Sequence, residues 1–303
     1  MGRIADALRK AEQERLRLRN QPRTDRGATA LLDPPRSPPG VSTETGDAPP
    51  GPVPPADTSF TVATEGIDEA VVPFYDRSSV ISEQYRSLRT RLLTQNPQND
   101  HRVLAISSSI PQEGKSVSTV NMGMILSEIR HLKVLCVDGD FRRSSLCDLL
   151  DIRPAAGLAD MLSGDATYDE IITPTPIPNL YFVAAGQTRG RAAAELLASQ
   201  RTSSVFRRFQ SDFHYTLVDT PPATTVTDVN IIGQMCSGVI MVVRLNVTPE
   251  PIARRAVRLL KANNIPIIGC LLIGRDDRGP GYNYSYNYYR YYRYYTSGEA
   301  DKR

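Results

Sequence analysis

Gly114, Lys115 and Ser116 stand side by side between an apolar run, Arg102–Ser107, and a helix-like stretch running from Val117 to about Arg130. Strand, loop ending Gly-Lys-Ser, then helix is the arrangement of a phosphate-binding loop. Backbone N–H groups of such a loop converge on the positive end of the following helix and make a nest for phosphate oxygens. The loop residues Pro111, Gln112, Glu113, Gly114, Lys115, Ser116 and Val117 are therefore the expected nucleotide cradle. Gly114 permits close backbone approach, Lys115 supplies a point charge to the phosphates, and Ser116 offers a hydroxyl to Mg²⁺. One element departs from the standard pattern: Ser109 occupies the position of its first glycine.

Two further motifs supply carboxylates. Val134-Leu135-Cys136-Val137 delivers Asp138 and Asp140 at i and i+2, so both leave the same side of a strand end. Arg142 follows two residues later. Tyr215-Thr216-Leu217-Val218 delivers Asp219 before Thr220-Pro221-Pro222. Each alone reads as a solvated strand end. Together with a Gly-Lys-Ser loop they describe a Mg²⁺-nucleotide site, with Ser116, Asp140 and Asp219 as metal-holding groups, Asp219 through water.

The elements that must position these residues are legible as short apolar runs: Val103–Ser107, Lys133–Val137, Leu180–Ala184, Tyr215–Val218, Val239–Val243 and Ile267–Leu272. They lack period-2 alternation and are separated by helix-like stretches. That pattern predicts an α/β fold whose mostly parallel sheet is covered by helices on both faces. Residues 79–274 suffice for one such domain. Residues 1–20 carry Ile4, Leu8, Ala11 and Leu18 at near-helical spacing among basic and acidic residues, which fits a frayed terminal helix or one that docks on a partner or acidic lipid. Residues 21–78 read as a disordered linker, since 21–60 alone hold ten of the 23 prolines and no aromatic before Phe60. Residues 275–303 form a tail. The net charge of +3 is too balanced to indicate nucleic-acid binding. No uninterrupted apolar run reaches the ~18 residues of a spanning helix. Four cysteines without CxxC spacing and three histidines give neither a disulfide framework nor a zinc pattern, and a cytoplasmic setting is the default.

Gly-Lys-Ser, a strand ending in Asp138-Gly139-Asp140-Phe141-Arg142 and another ending in Asp219-Thr220-Pro221-Pro222 resemble the bacterial tyrosine kinases, phosphate-loop enzymes unrelated in fold to eukaryotic protein kinases. The likeness runs from Ser79 to the C-terminus and takes in Gly157–Gly164 and Ala194–Ser199. It also covers Glu83, Arg86 and Arg89, which match the family's ExxRxxR oligomerisation motif; local i,i+3 pairing on one helix is the plainer reading of those three. The tail carries nine of the chain's 14 tyrosines, Tyr282, Tyr284, Tyr286, Tyr288, Tyr289, Tyr291, Tyr292, Tyr294 and Tyr295. The family carries such a cluster as its autophosphorylation substrate.

The resemblance implies an ATP- and Mg²⁺-dependent tyrosine autokinase that modifies this cluster in a neighbouring copy. Lys115, Asp138, Asp140, Arg142 and Asp219 would be its catalytic residues, with Asp138 orienting or deprotonating the phenol, although Asp138 and Asp140 are interchangeable at this stage. It further implies a ring-like homo-oligomer, a separate membrane-anchored activator at the inner face of the plasma membrane, and a role in exopolysaccharide or capsule production. The lysine that marks the related partition and septum-site ATPases (the ParA and MinD types) would fall at Ile110, and Ile273 stands where the kinases often have Asn at the end of the last strand. A regulatory ATPase of that type, or a nucleotide-gated scaffold whose Tyr- and Arg-rich tail binds a partner, remain the competing classes.

Overall fold

A computed structural model of the chain describes residues 66–274. The N-terminal helix expected over 1–20, residues 21–65 of the linker and the tyrosine-rich tail lie outside the described residues.

Six of the seven strands are the apolar runs picked out from sequence: β1 (Arg102–Ser108), β2 (Val134–Asp138), β4 (Leu180–Val183), β5 (Tyr215–Asp219), β6 (Gly238–Arg244) and β7 (Ile267–Ile273). The seventh, β3 (Thr173–Pro174), is two residues long and escapes any periodicity test. The sheet order is β3-β4-β2-β5-β1-β6-β7. Every pairing is parallel except β3 with β4. All residues of β2 and β5 are buried, as strands covered on both faces must be.

Helices cover the two faces. On one lie α1 (Val72–Tyr75), α2 (Val80–Thr94), α3 (Lys115–Ser127) and α4 (Leu146–Leu150), where Val71 just before α1 joins Leu92, Val120, Met122, Leu126 and Leu146 in the core. On the other lie α5 (Leu158–Ser163), α6 (Tyr168–Ile171), α7 (Ala193–Leu197), α8 (Gln200–Asp212), α9 (Asp228–Gln234) and α10 (Glu250–Ala262). Phe206 and Phe209 of α8 anchor that second layer, each worth roughly 2–3 kcal/mol of apolar burial.

Composition places residues 66–78 in the linker, but they pack with the domain. Ile67 and Val71 are buried, and Asn121 of α3 donates its amide to the Ala70 carbonyl at 2.9 Å. The short apolar run Ala70-Val71-Val72 and Phe74-Tyr75 is broken by Pro73 and follows directly on a proline-rich stretch, yet α3 offers it a ready surface. Ser79 then caps α2, accepting from the Ser82 N–H at 3.1 Å.

Register carries the site. β2 and β5 pair Asp138 with Asp219, while β5 and β1 pair Asp219 with Ile106, just before the phosphate loop. The carboxyl ends of three buried strands thus finish level. A tight crossing lies beside them, where a Cβ on Gly157 would sit 2.4 Å from the Gly186 nitrogen and 2.5 Å from the Ala184 oxygen. These are backbone atoms with little room to yield. Gly157→Ala is therefore expected to lower unfolding free energy by about 2–3 kcal/mol in chemical denaturation. Gly269→Ala, whose Cβ meets nothing within 4 Å, should change it by less than about 0.5 kcal/mol; equal losses would contradict the crossing described.

Candidate nucleotide site

Gly114 turns the chain from the loop into α3 with φ +89°. The left-handed conformation there explains the glycine, and an added Cβ would also press on Ile273 at 3.0 Å. Lys115 begins α3 and turns its ammonium toward the strand ends. Its Nζ lies 3.3 Å from Asp140 Oδ2 and 3.6 Å from Asp219 Oδ2. Ser116 donates its hydroxyl to Asp219 Oδ2 at 2.6 Å. These four side chains, which sequence alone proposed as one site, are brought together.

A cavity of about 720 Å³ opens over them, within the range of small-molecule sites. All seven predicted cradle residues, Pro111 to Val117, line it, as do Asp140 and Arg142. Asp219 is fully buried behind Ser116. Its Oδ1 has no hydrogen-bond partner. Burial pushes the Asp219 carboxyl up to about 7; Lys115 pulls the other way, and Asp138 adds to the rise. A buried carboxyl oxygen without a partner, next to a serine hydroxyl at the end of a phosphate loop, fits a hydrated divalent cation.

Asp138 is placed differently from expectation. It is fully buried and does not line the cavity. Its Oδ2 accepts from the Ser144 hydroxyl at 2.9 Å and from the Ser145 and Leu146 N–H groups at 3.1 Å, while Oδ1 accepts from the Asp140 N–H at 3.2 Å. Burial raises its carboxyl even against these donors. Asp140 is the carboxylate that meets the cavity, its Oδ1 held by the Arg142 and Arg143 N–H groups at 3.2 and 3.0 Å. Arg142 reaches across to the buried Asp228, Nε to Oδ2 3.3 Å.

Sequence reasoning missed Arg143, Arg244 and the Pro221-Pro222 wall of the cavity. Arg244 was findable, since it ends β6 at the same sheet edge as the loop.

Seen in this frame, a phosphate loop on the first strand of a parallel sheet, with acids ending the strands beside it, decides the family. Residues 100–272 match the ParA family model, described as NUBPL iron-transfer P-loop NTPase. The chain belongs to the ParA family of P-loop NTPases. The class is one of nucleotide-binding proteins, and the cavity over Gly114, Lys115 and Ser116 is its candidate site in this chain. Among individual proteins the chain is 27% identical to CapB of Staphylococcus aureus over 209 residues, 69% of this chain and 91% of that protein. It is 31% identical to the tyrosine-protein kinase Wzc of Salmonella typhimurium over 207 residues, 68% of this chain but only 28% of that longer protein. The BceF tyrosine kinase domain superposes with a TM-score of 0.60 at 28% identity, covering 67% of this chain and 81% of that one. The likeness to bacterial tyrosine kinases read from the motifs is thus upheld, and the cell division ATPase MinD of Pyrococcus furiosus is a more distant neighbour in fold, with a TM-score of 0.51 at 23% identity.

The Glu83, Arg86 and Arg89 motif has an intramolecular partner that sequence spacing did not reveal. Arg86 grips Glu128 at the end of α3 with two contacts, 3.0 Å through Nε and 2.6 Å through Nη2, and also pairs with Glu83 at 2.6 Å. Arg89 reaches Glu128 at 2.8 Å and the Ile125 carbonyl at 2.7 Å. Burial works against the Glu128 charge, but the two guanidiniums outweigh it and hold its carboxyl below the usual range. The stabilisation is therefore complete above a pH of about 4.5 and is lost as pH falls through the depressed native value. Glu128→Gln is expected to cost about 1–2 kcal/mol at pH 7, and urea titrations should show that gap vanish in acid; a pH-independent gap would assign the loss to packing.

Proposed function

We propose that this chain is an ATP-dependent protein-tyrosine kinase that phosphorylates the cluster Tyr282–Tyr295 of another copy. One observation carries the reading: β7 ends at Ile273, and Ile273 and Gly274 line the cavity above Lys115. The chain thus leaves the sheet at the nucleotide site, with nine tyrosines beginning eight residues further on.

Phosphoryl transfer asks mainly for positioning and charge neutralisation. Lys115 and the loop amides hold the phosphates. Ser116, with Asp140 and Asp219, would hold Mg²⁺, which neutralises charge on the transferring group when bound. Arg142 and Arg143 add positive charge at the opposite wall. A free phenol has a pKa near ~10, so its proton needs an acceptor as the oxygen attacks. The pair Asp138–Asp140 serves as that acceptor. Asp140 presents its oxygen to the cavity, and Asp138 braces it from behind by accepting from the Asp140 N–H.

Modification of the tail adds about −1.5 to −2 charge per tyrosine. A ring of copies joined through Glu83, Arg86 and Arg89 would be pushed apart by that charge. For those arginines to serve an interface they must share or exchange Glu128. Kinship with Wzc and CapB supports a membrane-anchored activator, attachment to the inner face of the plasma membrane through it, and a part in exopolysaccharide production. No helix among the described residues is long and apolar enough to cross a membrane. A MinD- or ParA-like regulatory ATPase, to which the chain is only distantly related, is the second reading; it would release phosphate without labelling tyrosine.

Incubation with ATP, Mg²⁺ and an activator's cytoplasmic segment, read by phosphotyrosine immunoblot, tests the assignment. Lys115→Met should lower labelling by at least about 100-fold with the fold intact. Asp140→Asn should lower it by a comparable factor, and Asp138→Asn by about 10-fold or more. Mixing Lys115→Met with an active chain lacking 275–303 should label the Lys115→Met tail. Phosphate release with no tyrosine label in any mixture would support the ATPase instead.

A further inference from the structure

The phosphate loop already contains an anion of its own. Glu113 is fully buried although charged and only one residue from Gly114. Its Oε2 accepts from the N–H groups of Ser109 and Ile110 at 2.6 and 2.8 Å. These are the first two amides of the loop, the place where the usual motif has glycine. Its other oxygen, Oε1, accepts from the Thr248 hydroxyl, which comes from the turn after β6. Thr248 Oγ1 in turn accepts from the Arg244 N–H at 2.9 Å, and Arg244 donates through Nη1 to the Gln112 carbonyl at 3.3 Å. Gln112 is held left-handed, φ +64°, a conformation that costs a non-glycine residue about 1 kcal/mol or more. Glu113, Thr248, Arg244 and Gln112 therefore form a closed circuit between the loop and the end of β6. On the loop's other side Thr224 donates to the Ser109 carbonyl at 2.6 Å.

We propose that Glu113 is a positioning residue for nucleotide binding: it occupies the loop's first two amides in place of a ligand oxygen, fixes the loop in its phosphate-ready shape before nucleotide arrives, and through Thr248 ties the backbone at Arg244 to the loop, whose Gln112 carbonyl holds the Arg244 guanidinium. The inference deepens the nucleotide-site reading and rests on it. The physical logic is one of cost. A loop that orders only on binding spends binding energy on its own entropy, whereas a preformed one does not. A buried carboxylate is tolerable here because each oxygen has donors. The remaining amides, toward Gly114 and the start of α3, are left for phosphate.

The circuit makes a geometric demand that substitution can dissect. Glu113→Gln keeps one oxygen to accept both amides and an NH₂ to donate to Thr248. Glu113→Ala leaves two buried N–H groups and the Thr248 hydroxyl without their partner. Binding of Mg-ADP to the full chain, followed by calorimetry with thermal melts as a check on folding, should weaken about 10-fold in Glu113→Ala and no more than about 3-fold in Glu113→Gln. Thr248→Val should weaken it by about 3-fold and add nothing to Glu113→Ala in the double variant, because the two act through one circuit. In autophosphorylation, KM for ATP should rise while kcat stays near the parent value. Glu113→Ala binding like the parent, Glu113→Gln as weak as Glu113→Ala, or strictly additive losses in the double variant would each overturn the proposal. If Glu113→Ala does not fold, Glu113→Gln and Thr248→Val still decide: a 10-fold loss in the first or none in the second contradicts it. A parent chain that does not bind Mg-ADP would instead remove the nucleotide reading itself.

Discussion

A buried ammonium faces two buried carboxylates, Asp140 and Asp219, with a third, Asp138, behind them at the ends of the parallel strands. Lys115, Asp138, Asp140 and Asp219 are all less than a tenth exposed, and one ammonium cannot offset three carboxyls in a low-dielectric setting, so burial raises Asp138 and Asp219. The fold holds this imbalance by register. Parallel pairing of β1, β5 and β2 fixes where each strand stops, so the loop, Asp219 and Asp138 arrive at one level whatever the loops prefer. The excess charge is then divided. Asp138 spends its oxygens on the turn into α4, Asp140 on the turn at Arg142 and Arg143, and Asp219 keeps one oxygen with no donor at all. A site left short of positive charge in this way is suited to take up a divalent cation with a nucleotide.

The same economy governs the loop. Glu113 takes the N–H groups of Ser109 and Ile110 in the loop, and the turn after β6 is drawn in to support it. On the other side of α3, Glu128 gathers Arg86 and Arg89 and ties α2 against the phosphate-binding helix. One glutamate thus braces the phosphate loop and another the far end of α3. Surface ion pairs are usually weak, but a carboxylate shared by two guanidiniums at the edge of a helix packing face is a better anchor, and it couples the ExxRxxR segment physically to the helix that carries Lys115.

How much of this was legible in sequence follows from the range of the interactions. Buried strands declare themselves as apolar runs, so β1, β2, β4, β5, β6 and β7 were found to within a residue or two. The chemistry of the site was readable because Gly114-Lys115-Ser116 and the strand-end acids are local motifs whose meaning depends only on what precedes and follows them. What stayed hidden is tertiary. Thr248 lies 135 residues from Glu113 and Glu128 lies 42 from Arg86, so neither partner is announced by spacing. Asp138 and Asp140 could not be told apart, because alternation puts both on one side of the strand while only the turn at 144–146 decides which keeps its oxygens free. Residues 66–78 were misjudged because Ile67 and Val71 acquire meaning only from the surface of α3.

The account rests on the claim that Asp219, Ser116 and Lys115 form one nucleotide–metal centre. A crystal structure with Mg²⁺ and a non-hydrolysable ATP analogue tests it most directly. The expected result is phosphate on Lys115 and the loop amides, Mg²⁺ on Ser116, and Asp219 Oδ1 satisfied by a metal-bound water. Nucleotide bound elsewhere, or bound with Asp219 Oδ1 still without a partner, would contradict it.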